Sequence, residues 1–539
     1  MIFTRHFANW PPGVPHTLEV PRENVYANLA AQRPERVALD YYGTQISYGE
    51  LQHDTDALAG YLQRRCGVRR GDRVLLYLQN SPQFIIAYYA ILRADAVVVP
   101  VNTMNRTEEL RHYVDDAQAS VAIVGQELHE RIAPLGLPHV IVAAYSDFLG
   151  ATDLPMPDFV RAPRKALGTS WDDVIQERLA PEPLRTGADD LAVMPYTSGT
   201  TGKPKGCMHT HANVQSTAMA YLHWRGSDED SVVLSPLPMF HVTGMQAGMN
   251  APIYRGAKLV VLSRWDRDCA AQQIERARVT NWSAITTMLV DFLSNPRLAD
   301  YDLSSLRTLG GGGAAMPEAL ARKLEQVFGL PYVEGYGLTE TMAPTHINPP
   351  HRPKRQCGGI PIVNTDARII DPETRRELGV GEVGEIIVHG PQVFKGYWRQ
   401  DAATRAAFIE HDGKRFFRTG DLGYYDDEGY FFITDRLKRM INASGFKVWP
   451  AEVEAMLYAH PGIQEACVIG APDAYRGETV KALIVPREPS LRAEDVIEWA
   501  RGRMADFKVP RIVQFVESLP KTATGKILWR ELQERERAK

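Results

Sequence analysis

Met194-Pro195-Tyr196-Thr197-Ser198-Gly199-Thr200-Thr201-Gly202-Lys203-Pro204-Lys205-Gly206 follows the apolar run Leu191–Met194, which reads as a strand, and the reading of the fold starts here. The loop carries the hydroxyls of Thr197, Ser198, Thr200 and Thr201, the glycines Gly199 and Gly202, and the amine of Lys203. Glycines let backbone N–H groups turn toward a ligand, hydroxyls add donors and a lysine adds a point charge, a set suited to a polyphosphate. The spacing differs from the Gly-x-x-x-x-Gly-Lys-Ser/Thr phosphate loop. Lys203 precedes Pro204, and a residue before proline is pushed out of the α region, so no helix opens at this lysine to present its N-terminus to the anion.

Outward from the loop, residues 37 to about 345 alternate strand-like and helix-like patterns. Ser81-Pro82 reads as an N-cap followed by proline at the first helical position, with Phe84, Ile85, Tyr88, Ile91 and Leu92 at helical spacing behind it. Val97–Val99, Ser120–Val124, Ser231–Leu234, Leu259–Leu262, Ala284–Thr287 and Leu306–Leu309 read as short buried strands, and Glu318–Phe328 as a helix. Repeated βα units predict α/β architecture, two largely parallel sheets covered on both faces, with ligands bound beyond the strand C-termini. Between about residues 357 and 434 the pattern changes to alternating β runs between Gly and Asp turns (Ala367–Ile370, Gly384–Val388, Tyr430–Thr434), predicting an antiparallel, barrel-like subdomain. Past Asp435 a small α+β unit is expected, with a helix opening at Pro450, strands Cys467–Ile469 and Ala482–Val485, helix Glu494–Met504 and strand Ile512–Val516.

The chain has 539 residues, too many for one core. A net charge of −4 argues against a general nucleic-acid binder. The five cysteines are scattered and nowhere in Cys-x-x-Cys spacing, which fits a reducing compartment without disulfides or structural zinc. Met1–Gly13 shows no secretion signal, and the most apolar long stretch, Phe84–Val101, contains Arg93 and Asp95 where a membrane span needs ~20 largely uncharged residues. A soluble cytoplasmic protein is expected; peripheral membrane contact stays open.

Further segments carry chemistry. Pro236–His241 follows a strand and ends on a histidine. Gly310–Gly313, then Ala314-Ala315, removes side chains where a planar ligand could lie on backbone. In Glu334-Gly335-Tyr336-Gly337-Leu338-Thr339-Glu340, Tyr336 can offer a ring face to a base, Thr339 a donor to a phosphate, and Glu340 a hard oxygen to Mg²⁺. Asp421 in Arg418-Thr419-Gly420-Asp421 can accept from two hydroxyls at once. Asp435-Arg436-Leu437-Lys438, Ser444-Gly445-Phe446-Lys447 and Pro520-Lys521-Thr522-Ala523-Thr524-Gly525-Lys526 follow.

These segments, in this order and over nearly the whole chain, resemble the motifs of the adenylate-forming superfamily, which includes acyl-CoA synthetases, firefly luciferase and the adenylation domains of nonribosomal peptide synthesis. The resemblance implies an N-terminal domain, residues 1–434, and a mobile C-terminal domain, residues 435–539, hinged at Asp435. It implies that ATP and AMP are held by Thr197, Ser198, Gly199, Thr200, Thr201, Gly202, Lys203, Gly312, Gly313, Ala314, Glu334, Gly335, Tyr336, Gly337, Thr339, Asp421, Arg436 and Lys526, with Mg²⁺ on Glu340. Coenzyme A would meet Ser444, Gly445 and Phe446. His241 would border the acyl pocket, and Lys526 would neutralise charge between carboxylate and α-phosphate. The activity implied is ATP-dependent activation of a carboxylic acid as acyl-AMP, then transfer to coenzyme A. A medium- or long-chain fatty acid is the expected substrate and a homodimer the expected assembly. Gly390-Pro391-Gln392-Val393 before Gly396-Tyr397-Trp398 supports the fatty acid. An aryl- or cinnamate-type CoA ligase, an acyl-AMP ligase loading a carrier protein, a luciferase-like oxygenase and an inactive nucleotide binder are the alternatives. Two positions depart from the pattern: Asp95 stands where relatives often have glycine, and Arg439 where many have an acidic residue.

Overall fold

The computed structural model describes residues 4–197, 204–313, 316–443, 446–473, 477–522 and 527–538, without the side chains of Arg436, Lys438, Asn442, Phe446 and Lys447. The chain divides into two compact units, Met1–Asp366 with Val388–Phe417, and Ala367–Ile387 with Arg418–Lys539.

The first unit holds two large sheets. In the seven-stranded one, Arg73–Tyr77 pairs in parallel with Val97–Pro100 on one side and Val121–Gly125 on the other. Leu191–Val193, which leads into the phosphate loop, pairs in parallel with Val97–Pro100 and antiparallel with His209–Thr210. In the nine-stranded sheet the run Val37–Tyr41, Lys258–Val261, Val232–Ser235, Asn281–Ser283, Thr308–Gly312, Tyr332–Leu338 is parallel throughout. Thr44–Ser47 closes one edge antiparallel; Ala343–Ile347 and Ile360–Pro361 close the other.

The helix Pro82–Arg93 forms where the sequence places it: the Phe84 N–H donates to Ser81 Oγ at 3.1 Å, and Pro82 occupies the first turn. Every side chain from Pro82 to Leu92 is buried, so this is a helix of the core and not an amphipathic surface helix. Asp95, just beyond it, has a left-handed backbone (φ +60°), which aspartate tolerates better than most residues. Its carboxylate accepts from the N–H groups of Arg185 (3.0 Å) and Thr186 (2.8 Å) and from the Thr186 hydroxyl (2.7 Å), so the aspartate staples a distant segment.

One predicted strand moves. The strand is Asn281–Ser283, and Thr286 begins the helix Thr286–Leu293, so Ala284–Thr287 is the crossover between them. A short apolar run does not distinguish a strand from the first turn of a helix; the buried set Met288, Leu289, Phe292 and Leu293 fixes the helical face.

In the second unit the latter half of Lys414–Tyr425 pairs antiparallel with Phe431–Arg436. A mixed sheet follows, in the order Phe446–Val448, Ile441–Ala443, Gly477–Pro486, Ile463–Asp473, with Ile512–Phe515 also on Gly477–Pro486. The helix Pro450–Tyr458 packs its Val453 and Leu457 into the core of this sheet. Asp435 is buried and accepts the Ala451 N–H at 2.7 Å, capping that helix. Arg439 is drawn inward. Its guanidinium pairs with Glu454, donates to the Val468 carbonyl (3.1 Å), lies 4.0 Å from Asp435 and sits 5.4 Å from the Trp529 ring. Glu454 also accepts the Val468 N–H at 2.7 Å, and burial raises its carboxyl above the ordinary range against the pull of Arg439.

Removing one partner of a buried pair strands the other charge, at a cost of about 3–5 kcal/mol. Arg439→Leu is expected to lower the urea midpoint accordingly, and Arg439→Leu with Glu454→Leu to recover most of the loss. A single variant as stable as the wild type contradicts this account.

Candidate functional site

The phosphate loop springs from a two-residue hairpin. Tyr196–Thr197 pairs antiparallel with Lys205–Gly206, Gly206 opposite Tyr196 and Lys205 opposite Thr197. Ser198–Lys203, between the two arms, lie outside the described residues. The arms are braced from the helix Thr107–Ala117. The Tyr196 hydroxyl donates to Asp116 at 2.7 Å, and His112 Nε2 donates to the Pro204 carbonyl at 2.7 Å. Burial, with Asp116 beside it, pushes the Tyr196 phenol well above its usual range, so it stays a donor.

The chain leaving the loop is fastened to two other segments. The Trp398 N–H donates to the Gly206 carbonyl (2.8 Å), Met208 N–H to Gly396 (3.0 Å) and Lys395 N–H to Met208 (2.9 Å), a short interchange of backbone bonds. His209, fully buried, donates from Nε2 to the Thr339 carbonyl at 2.7 Å; burial lowers its pKa to about 4, so it is neutral. Tyr397 donates its hydroxyl to Glu340 Oε1 at 2.9 Å, and the Phe394 N–H donates to the Glu340 carbonyl at 2.9 Å. Lys205 Nζ stands 5.0 Å from the Tyr397 ring centre. Thr339 and Glu340 open the short 3₁₀ turn Thr339–Thr341 directly after the strand Tyr332–Leu338. The base of the phosphate loop and the Thr339–Glu340 turn are therefore one construction.

Beside it, Gly311 stands opposite Glu334 and Gly312 opposite Gly335 in adjacent parallel strands. A methyl group on Gly311 would lie 2.0 Å from the Ala284 carbonyl oxygen, on Gly312 2.4 Å from the Gly335 oxygen, and on Gly310 2.4 Å from an Arg225 nitrogen. Protein atoms thus take up the room that these three glycines leave on the side-chain side. Gly313 differs: its φ is +94° and nothing lies within 4 Å of a methyl group there. Gly337, too, is pressed, 2.0 Å from the Ala343 oxygen on the same count. Ala314 lies outside the described residues. Tyr336 is half-buried with its ring 5.6 Å from that of His346.

Glu334 is buried at 5% exposure. Its two oxygens accept the N–H groups of Met316 (3.1 Å) and Gln356 (2.8 Å), which ties down the chain after the glycine run. Burial outweighs these donors and pushes its carboxyl up to about 7.

His241 is exposed and caps the helix Val242–Met245, which packs against Ala343–Ile347. Asn80 holds the loop before it, accepting the Met239 N–H at 2.8 Å and donating to the Leu237 carbonyl at 2.9 Å. In the second unit, Asp421 is buried and opposite Arg436 in the strand pair. Phe446 begins the strand Phe446–Val448; Ser444, Gly445 and Lys526 lie outside the described residues. The braces Asp116, His112, His209 and Tyr397 escape sequence reasoning, although Gly396-Tyr397-Trp398 marks the last of them.

Among the described residues no three His, Cys, Asp or Glu side chains form a metal cluster. No helix among the described residues is long and apolar enough to cross a membrane.

The parallel sheets, the hairpin at Tyr196–Gly206 and the glycine-rich strand end beside Glu334 are features of an adenylate-forming enzyme, the class to which the comparisons assign the chain. The chain belongs to the AMP-binding enzyme family: the model of that family matches residues 26–398, and that of its C-terminal domain residues 452–526. It is 36% identical to a long-chain-fatty-acid–CoA ligase of Bacillus subtilis, with 98% of this chain and 97% of the relative covered. It is also 36% identical to a feruloyl-CoA synthase of an Amycolatopsis species, with 94% and 97% covered. Among solved structures it resembles ATP-bound MatB from Rhodopseudomonas palustris, at 31% identity and a TM-score of 0.84 over 95% of this chain and 98% of that one. The chain is an AMP-forming acyl-CoA ligase.

Between pH 4.5 and about 7, Glu334 is ionised in the unfolded chain and largely protonated in the folded one, so its contribution to stability falls as pH rises through that window and is constant above it. Glu334→Gln is neutral at every pH and should gain on the wild type by about 2–3 kcal/mol from pH 4.5 to 7.5. Thermal melts of both proteins across this range check it; a constant gap contradicts the raised pKa.

Proposed function

We propose that this ligase activates a medium- or long-chain fatty acid with Mg·ATP and passes the acyl group to coenzyme A. The observation that carries the reading is the joining of the phosphate loop to the Thr339–Glu340 turn through His209 and Tyr397. These bonds support the reading because phosphoryl chemistry of this kind is mainly positioning and charge stabilisation, and they tie the base of the loop to the Glu340 carboxylate.

In the first half-reaction a carboxylate oxygen attacks the α-phosphorus in line. A C(O)–O–P bond forms, the bond to the β-phosphate oxygen breaks, and pyrophosphate leaves. Thr197 to Lys203 grip the β- and γ-phosphates and the Thr339 hydroxyl donates to the α-phosphate. The Tyr336 ring and the Gly312–Ala314 backbone flank adenine, with Gly335 and Gly337 letting the strand pass close. Glu334 acts through the chain it ties down. Asp421 takes the ribose hydroxyls and Arg436 ribose or phosphate oxygens. Glu340 would hold Mg²⁺, which when bound would supply charge neutralisation on the phosphates. Lys526 offsets the charge that builds between carboxylate and phosphate. In the second half-reaction the thiol sulfur attacks the acyl carbon, the C–S bond forms, AMP departs and the thiol proton passes to solvent. Ser444, Gly445 and Phe446 line the path of the pantetheine, His241 borders the acyl pocket, and Asp435 is the hinge between the two states.

The feruloyl-CoA synthase relative, as similar as the fatty-acid ligase, favours a second reading in which the acid is a cinnamate.

Lys526→Ala is expected to lower acyl-adenylate formation by about 100- to 1,000-fold, as for loss of a preorganised donor, while thioester formation from supplied acyl-AMP survives. Pyrophosphate exchange and CoA-ester release measure the two steps; equal loss in both contradicts the role. AMP release with coenzyme A across acids of graded chain length, cinnamate and benzoate included, tests the substrate. A maximum at medium or long aliphatic chains supports the first reading, a maximum at cinnamates the second, and ADP in place of AMP overturns both.

A further inference from the structure

Arg225 is the last residue of the helix His211–Arg225 and is 8% exposed. Among the described residues its guanidinium has no hydrogen bond and no ion pair, and its Nε is buried without a partner. A buried cation left unpaired costs several kcal/mol. Two features offset part of that: the carbonyl end of its own helix and the Tyr221 ring, 5.1 Å away. Neither accepts a hydrogen bond from the buried Nε.

The guanidinium lines a cavity between this helix and the nine-stranded sheet. The cavity volume is about 20 Å³, room for an oxygen atom or a water. Tyr221, Asn281 and Ser283 give the wall polar atoms, and Val233 and Ala247 give it apolar ones. The Tyr221 hydroxyl and Ser283 Oγ are bonded to each other at 2.8 Å, so they present one organised polar edge. A methyl group on Gly310 would lie 2.4 Å both from a nitrogen of this guanidinium and from the Val333 carbonyl oxygen. Gly310 lies two residues before Gly312 along the strand, a distance of ~7 Å. Ala247 lies in the segment that follows His241, five residues beyond Val242. The cavity is thus a short reach from the end of the sheet where the acid is activated.

We propose that Arg225 reads an oxygen acceptor at the far end of the acid, a hydroxyl or carboxylate, and so selects compact oxygenated acids over plain aliphatic chains. The inference rests on the acyl-CoA ligase reading and favours the second of the two acids named for it. A methylene chain against this guanidinium would bury the charge without an acceptor, whereas one oxygen converts it into a charge-assisted hydrogen bond. The sequence shows Arg225 only as a basic residue at a helix end.

The test uses the whole protein with ATP, Mg²⁺ and coenzyme A, and compares kcat/KM for cinnamate, 4-hydroxycinnamate, 4-carboxycinnamate and decanoate. The wild type should prefer an oxygenated cinnamate to cinnamate by about tenfold or more. The hydroxyl and carboxyl arms distinguish a neutral from an anionic acceptor. Arg225→Met should remove that preference through KM for the oxygenated acid, leaving KM for ATP unchanged, and Arg225→Lys should restore part of it. The wild-type preference needs no variant: turnover of cinnamate or decanoate with no gain from the added oxygen overturns the inference and leaves the ligase reading standing. A variant that weakens all four acids and ATP alike makes Arg225 structural and also overturns it. AMP formation from none of the acids overturns the ligase reading itself.

Discussion

The first unit depends on one fastening: the chain that leaves the phosphate loop is bonded, within four residues, to both Lys395–Trp398 and the Thr339–Glu340 turn. A glycine-rich loop alone has too much conformational freedom to present its donors in one geometry. Here its two arms are paired, its tyrosine is anchored on Asp116, and its exit is held by backbone bonds to Gly396 and Trp398. The same construction sets the carboxylate of Glu340, because Tyr397 belongs to the bonded segment and donates to it. Disturbing Tyr397 or His209 would therefore loosen the loop and the carboxylate together.

Burial and hydrogen-bond partners together explain the charge that several buried groups carry. His209 is neutral because burial outweighs the hydrogen bond from its Nε2 to the Thr339 carbonyl, which on its own raises the pKa. Tyr196 and Tyr397 remain phenols because burial and an adjacent carboxylate both oppose ionisation. Arg439 in the second unit follows the same rule, matched by Glu454 and Asp435. Arg225 differs: among the described residues no carboxylate pairs with its guanidinium, which lines a cavity.

The glycines show why one observation in sequence can have several physical causes. Gly310, Gly311 and Gly312 look like a bare platform, yet each is required by an atom of the protein itself, a guanidinium or a neighbouring carbonyl. Gly313 is required by its backbone angle. The departure at Asp95 is likewise explained by three hydrogen bonds to Arg185 and Thr186, residues ninety or so positions away.

Local signals determined much of this protein from the sequence alone. The cap at Ser81, the proline after it and the apolar spacing fixed a helix, Glu318–Phe328 fixed another, and alternating βα patterns fixed the doubly covered parallel sheets. The ordered motifs fixed the family, because each carries its own chemistry in a few contiguous residues. What only the tertiary structure decided are the contacts between residues far apart in the chain: His209 with Thr339, 130 positions on, Tyr397 with Glu340, 57 positions apart, and the solitude of Arg225. The reason is that propensity and periodicity act over a few residues, while burial and the pairing of polar groups are settled only when distant segments pack.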